Sequence, residues 1–171
     1  MKLGLLIVDL QKAYYNGYAK ESMDQACEYI NAVLPLFRDA NLPIAWIQDV
    51  SEFDGVVPGA DSFEIIDALR PLEESSNAQN LERRFHKYYG NSFNKTGLDE
   101  FFKEHDVDTV VITGYRAEYC ILSTYRGALD LDYTPILLRG GVAGGIEERI
   151  KFVYEINDII SFNALSKLMK G

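Results

Sequence analysis

Cysteine and histidine are scarce in this 171-residue chain: there are two of each, and only five prolines and one tryptophan. Two separated histidines argue against a histidine-built zinc or iron centre. The cysteines, Cys27 and Cys120, form no C-x-x-C pair, so a dithiol redox motif is absent. No basic cluster offsets the formal net charge of -9, which argues against a nucleic-acid partner. No apolar run is long enough to span a membrane, and no membrane partner is expected. The apolar start, Met1 to Val8, reaches Asp9 too early for a signal-peptide core, so a cytoplasmic location is expected. Repeats, low-complexity tracts and linkers are also missing, and one domain over residues 1–171 is expected. The glycine pairs Gly140-Gly141 and Gly144-Gly145 match neither phosphate-binding fingerprint and read as turns before a helix whose first turn carries Glu147 and Glu148. With these classes set aside, the expected partner is a small-molecule substrate, and no cofactor is implied.

What the chain does have is alternation. Short apolar runs at Leu3 to Val8, Ile44 to Gln48 and Thr109 to Ile112 read as buried strands, with weaker ones at Thr134 to Leu138 and Asp158 to Ser161. Helical patterns fill Ser22 to Asp39, Thr96 to His105, Glu118 to Leu131, Ile146 to Glu155 and Asn163 to Met169. Strands separated by helices imply crossover connections and a parallel α/β sheet covered on both faces. The stretches 51–60 and 73–80 read as loops. Ligands of such sheets sit beyond the carboxyl ends of the strands. Asp9, the pair Gln48-Asp49, and Cys120 follow three of those ends.

Cys120 lies where the strand ending Thr113-Gly114 turns into a helix. Helix-end amides and the helix dipole at that elbow favour thiolate, the form that attacks carbonyls. Asp9 is placed to take and return a thiol proton. Capping the following turn is an equally ordinary task for Asp, and position does not choose between them. Lys87, in Phe85-His86-Lys87-Tyr88-Tyr89, is either a charge partner for the thiolate or a solvated loop lysine. His86 is its neighbour, but adjacent side chains point apart, which disfavours a Cys–His dyad. His105 reads as an exposed helix end and Cys27 as a packing residue. Tyr14, Tyr15, Tyr18, Tyr88, Tyr89, Tyr115 and Tyr119 flank these positions and suit an amphipathic pocket or a subunit interface.

Three segments in order resemble the isochorismatase-like cysteine hydrolases, and the resemblance covers nearly the whole chain. Leu5-Leu6-Ile7-Val8-Asp9-Leu10-Gln11 resembles the family's opening strand with its catalytic Asp. Lys87 to Phe93, with Thr96 and Leu98, resembles K-x-x-x-S-A-F…T-x-L, which supplies the catalytic Lys, although Asn91 and Ser92 stand where small residues are usual. Thr113 to Ile121 resembles T-G-x-x-T-[DE]-x-C-V, which carries the nucleophile, with Ala117 in place of a frequent Thr. The resemblance implies an Asp9/Lys87/Cys120 triad. It also implies an α/β three-layer α-β-α sandwich with a mostly parallel, six-stranded Rossmann-like sheet, and a homodimer or higher homo-oligomer. It further implies a cis peptide between Arg116 and Ala117, and an oxyanion hole from the Ala117 and Cys120 amides. Nicotinamidases of this family place a D-x-H…H metal set after the second strand. Gln48 to Phe53 contains no histidine, which argues against a metal and that activity. Gly140 stands near where the family often has an Asp.

The activity implied is thiol-dependent hydrolysis of a C–N bond, amide or carbamoyl, in a small molecule. Tyr15, Gln48, Tyr88, Arg116 and Tyr119 are the substrate-binding candidates. Arg116 is suited to a substrate carboxylate but equally to the surface, and the 51–60 loop is a second specificity element. Two rival readings stand beside it: isochorismate-type cleavage of a vinyl ether, which needs the acid but no thiol, and a non-catalytic binding protein on the same fold.

Overall fold

The structure is a computed structural model and describes residues 1–73 and 80–171. Six strands form one parallel sheet: β1 (Leu3–Val8), β2 (Ile44–Asp49), β3 (Glu82–Lys87), β4 (Thr109–Gly114), β5 (Thr134–Val142) and β6 (Ile159–Ile160). Their order is β3-β2-β1-β4-β5-β6. The helices are α1 (Gly17–Asp39), α2 (Leu98–Glu104), α3 (Leu122–Asp130), α4 (Glu147–Glu155) and α5 (Phe162–Lys170). They cover both faces, giving the expected three-layer α/β sandwich.

Strand alternation sorts the core into two apolar layers. Leu5, Ile7, Ile44 and Trp46 face α1 and α5, against Met23, Ile30, Phe37 and Leu165. Leu6, Val8, Ala45, Ile47 and Phe85 face the other way, against Phe101, Phe102, Ala128 and Val153 of α2, α3 and α4. β1 and β4 are buried at every position, which is why they read as unbroken apolar runs.

Strand β3 departs from the expected pattern. Glu82-Arg83-Arg84-Phe85-His86-Lys87 has no apolar run, because it is a sheet edge and its buried positions are mostly filled by charge. Glu82 is buried at one end. It accepts from Trp46 Nε1 at 2.8 Å, from Arg38 Nε and Nη2 at 3.1 and 3.0 Å, and from the Leu72 amide at 2.8 Å. Such a carboxylate is well supplied with donors and holds its strand in place.

Two further boundaries move. β5 runs to Val142, so Gly140-Gly141 are strand residues, not a turn. The Tyr154 hydroxyl takes the Gly140 and Val142 amides at 3.0 and 3.1 Å and donates to Leu138 O at 3.2 Å, holding the irregular strand end. The helix expected from Glu118 begins instead as a π-type turn, Ala117–Ile121, leading into α3. The 51–60 loop is pinned at its neck by the Ser51–Val56 bridge. Of the loop expected over 73–80, residues 74–79 lie outside the described part. Among the described residues no helix is long and apolar enough to cross a membrane.

Gly114 ends β4 beside Val8 with φ +114, and a Cβ there would lie 2.1 Å from Val8 O. Replacement therefore forces backbone apart at the centre of the sheet. Gly114→Ala is expected to cost more than about 3 kcal/mol. Urea unfolding measures it, and a loss below about 1 kcal/mol would contradict the close approach.

Candidate active site

Three strand ends and one elbow meet around a buried ammonium. Lys87 is the last residue of β3 and stands on the Phe85 face of the sheet, fully buried. Its Nζ lies 2.8 Å from Asp9 Oδ2, 2.9 Å from Asp49 Oδ1 and 3.3 Å from Cys120 Sγ. The resemblance had implied the Asp9, Lys87 and Cys120 set, and the fold brings these side chains together.

Each arrives by a local device. Alternation along β1 would send residue 9 to the α1 side, with Leu5 and Ile7. Asp9 instead has φ 52, a left-handed conformation that Asp tolerates, and meets Lys87 on the opposite face. Its amide donates to Ile47 O at 3.0 Å and its carbonyl accepts from the Gln11 amide at 2.9 Å, fixing the kink. Asp49 needs no kink, because it continues the alternation Ala45, Ile47 on the Lys87 face and pairs with Lys87 in register. Cys120 follows Gly114 through an elbow held by Tyr115 N to Val8 O at 2.8 Å and Ala117 N to Ala143 O at 2.9 Å.

Burial dominates the electrostatics. It pushes the Asp9 carboxyl up to about 7; Lys87 opposes the rise and the nearby Asp49 charge adds to it. Burial, and then the Asp9 charge, push the Cys120 thiol up to about 12. Burial alone would lower the Lys87 pKa, but Asp9 and Cys120 outweigh it and the net direction is upward. Lys87 therefore stays charged, Asp9 exchanges a proton near neutrality, and Cys120 rests as a thiol. The thiolate expected from the helix end is overridden in the resting site by desolvation and a neighbouring carboxylate. Asp9 Oδ1 is buried without a hydrogen-bond partner among the described residues, a free acceptor in the triad.

Several expected residues stand elsewhere. The cis peptide is Tyr115–Arg116, one bond before the implied Arg116–Ala117, and falls between the two amides that anchor the elbow. The Ala117 amide is given to Ala143 O, so it is no free oxyanion donor. The Arg116 and Cys120 amides have no acceptor beyond the elbow among the described residues. Gln48 faces α1 with Trp46 and donates to Phe63 O at 3.0 Å, a structural task set by strand alternation. Tyr15 donates to Asp24 of α1 and lies under Lys20, away from Lys87. Arg116 donates to Glu118 Oε1 at 3.0 Å, shares that oxygen with Arg149, and stacks over the exposed Tyr119 ring. Tyr88 is exposed beyond the end of β3. His86 meets Phe63 edge-on, across the sheet from Lys87, which removes the Cys–His dyad. His105 Nδ1 lies 2.8 Å from Phe101 O.

Two residues at the site were not singled out for it. Asp49 was visible only as a strand end, the same signal that marked Asp9. Tyr14, not its neighbour Tyr15, donates to Asp49 Oδ2 at 2.7 Å and stacks on Tyr115 with centroids 5.5 Å apart. Both Asp49 oxygens are thus engaged, and an ammonium fills the space between the carboxylates. These residues do not fit a divalent ion.

A thiol, two carboxylates and a buried ammonium thus meet at the carboxyl edge of a parallel sheet. The Isochorismatase domain model matches residues 4–155, and the chain belongs to the isochorismatase family, a family of hydrolases. It is 30% identical over 145 residues to the uncharacterized isochorismatase family protein YrdC of Bacillus subtilis, covering 83% of this chain and 74% of that one. The fold matches an isochorismatase-like hydrolase from Alkaliphilus metalliredigens with TM-score 0.85 and 22% identity, over 98% of this chain and 99% of that one. It also matches N-carbamoylsarcosine amidase from Thermoplasma acidophilum with TM-score 0.79 and 24% identity, over 94% and 96% of the two chains.

Lys87→Met would leave buried Asp9 and partly buried Asp49 without their shared cation, and is expected to cost about 3–5 kcal/mol. Without Lys87, the Asp9 pKa moves above about 7, further from its unfolded value near 3.8. That added penalty is fully present above the shifted pKa and shrinks as pH falls and Asp9 protonates. Urea unfolding at pH 8 and pH 5 checks this; a larger loss at pH 5 would contradict it.

Proposed function

We propose that this protein is a cysteine-dependent hydrolase that cleaves a C–N bond, amide or carbamoyl, in a small molecule through a thioester. The observation that carries the reading is the single ammonium within contact of both the Asp9 carboxylate and the Cys120 sulfur. The family's hydrolytic character supports it, as does the shared fold with an N-carbamoylsarcosine amidase.

Asp9, as carboxylate, takes the Cys120 proton as sulfur attacks the carbonyl carbon. Lys87 sits beside the sulfur and offsets its developing charge. The Arg116 and Cys120 amides are the proposed donors to the oxyanion. Collapse breaks the C–N bond, and Asp9 returns its proton to the departing nitrogen. Water then loses a proton to Asp9 and adds to the thioester. The C–S bond breaks and sulfur recovers the proton, releasing the acid and restoring the site.

Ammonia release from primary amides, ureido acids and carbamoyl compounds tests this. Cys120→Ala is expected to lose at least about 1,000-fold in kcat, and Asp9→Asn a similar amount. A Cys120→Ala protein with wild-type turnover would sink the mechanism. Because Asp9 must begin as carboxylate, kcat/KM is expected to fall as pH drops through about 7. A profile flat from pH 8 to pH 5.5 would remove Asp9 as the base.

A further inference from the structure

Asp49 has no part in the steps above, yet it holds the ammonium as tightly as Asp9 does. Lys87 Nζ is 2.9 Å from Asp49 Oδ1 and 2.8 Å from Asp9 Oδ2. The Asp49 side chain is mostly buried, and its other oxygen accepts from Tyr14 at 2.7 Å. The Asp49 amide accepts nothing but donates to Gln11 Oε1 at 2.7 Å, while Gln11 Nε2 donates to Asp49 O at 3.0 Å. Buried Gln11 thereby clamps the backbone of Asp49. Every polar group of this residue is committed, which is how a group built to hold a position looks.

The proposed chemistry is favoured by such a competitor. Asp9 has to accept a proton and give it back in each half of the cycle. A buried carboxylate paired one-to-one with an ammonium is a poor proton acceptor, because accepting would strand the ammonium without a counter-charge. A second carboxylate on the same ammonium removes that obstacle. When Asp9 becomes neutral, Lys87 remains neutralised by Asp49 and keeps its place beside the sulfur.

We propose that Asp49 is a positioning residue of this site: by competing with Asp9 for the Lys87 ammonium, it leaves Asp9 free to take and return the Cys120 proton. This rests on the proposed thiol hydrolase reading. Tyr14 is the counterweight, since its hydroxyl donates to Asp49 and weakens the claim of Asp49 on Lys87. The titratable groups facing Asp9 are Lys87 from β3, Asp49 from β2, Cys120 from the elbow after β4 and the Tyr14 phenol from the turn after β1.

Asp49→Asn, which keeps the shape and an acceptor for Tyr14, is the test, with Tyr14→Phe beside it. Without the competing charge, Lys87 belongs to Asp9 alone and Asp9 holds protons less well. The acidic limb of kcat/KM in Asp49→Asn is expected to move down by about one pH unit, and kcat at neutral pH to fall about tenfold with KM nearly unchanged. In Tyr14→Phe the limb is expected to move the other way, because Asp49 draws harder on Lys87. The pH dependence of Cys120 alkylation by iodoacetamide is the second readout and needs no substrate. Its midpoint is expected to move down in Asp49→Asn, since one negative charge near the sulfur is gone. Alkylation midpoint and limb both unmoved in folded Asp49→Asn would overturn the proposal, even if activity falls. If wild type releases no ammonia from any compound, a shifted midpoint still supports the Asp49 assignment while the hydrolase reading fails by itself.

Discussion

One lysine ammonium, removed from water and shared among two carboxylates and a thiol, is the constraint on which this molecule's central edge depends. A charge without solvent needs its partners at hydrogen-bond distance, and the partners here come from different strands. Lys87 supplies the cation from β3, Asp49 comes from β2, Asp9 from β1 and Cys120 from beyond β4. Four neighbouring strands must therefore end at matching heights. The sheet's close pairing at Gly114 and Val8 and the kink at Asp9 are the local means by which they do so.

The arrangement divides labour between charge and proton. Lys87 keeps its charge throughout, since its surroundings push its pKa upward despite burial. Asp9, pushed up to about 7 by burial, is poised to exchange a proton near neutrality. Burial and the neighbouring Asp9 charge push the Cys120 thiol up to about 12, so the partly buried sulfur rests as a thiol.

Much of this was legible from residues whose signal is local. Apolar runs marked β1, β2 and β4, because both faces of those strands are buried, and an acid or a cysteine just past a run marked the edge where Asp9, Lys87 and Cys120 meet. β3 was illegible by the same rule: its inward positions carry Glu82 and Lys87, so its sequence looks like surface. Lys87 could be placed only through the family's motif. Sequence position also could not separate Tyr14 from Tyr15, or Asp49 from Gln48. For Gln48 and Asp49 one residue of strand register decides which face of the sheet each reaches; for Tyr14 and Tyr15 the short turn Lys12–Tyr14 after β1 decides it. The Ala117 amide shows the same limit. Its commitment to Ala143 O depends on where β5 ends, and the glycines there conceal a strand.

The Glu82 cluster carries a consequence for the far end of its strand. Glu82 and Lys87 are the first and last residues of β3, and their side chains leave by opposite faces. As a sheet-edge strand, β3 is paired on one side only, along β2. Were β3 to slide by one residue, every side chain on it would change face, and an imidazole would stand where the ammonium belongs. The indole, the guanidinium and the Leu72 amide that grip Glu82 thus anchor the strand whose Lys87 end lies about 17 Å away. Fidelity of the site is kept in part by residues that never approach it.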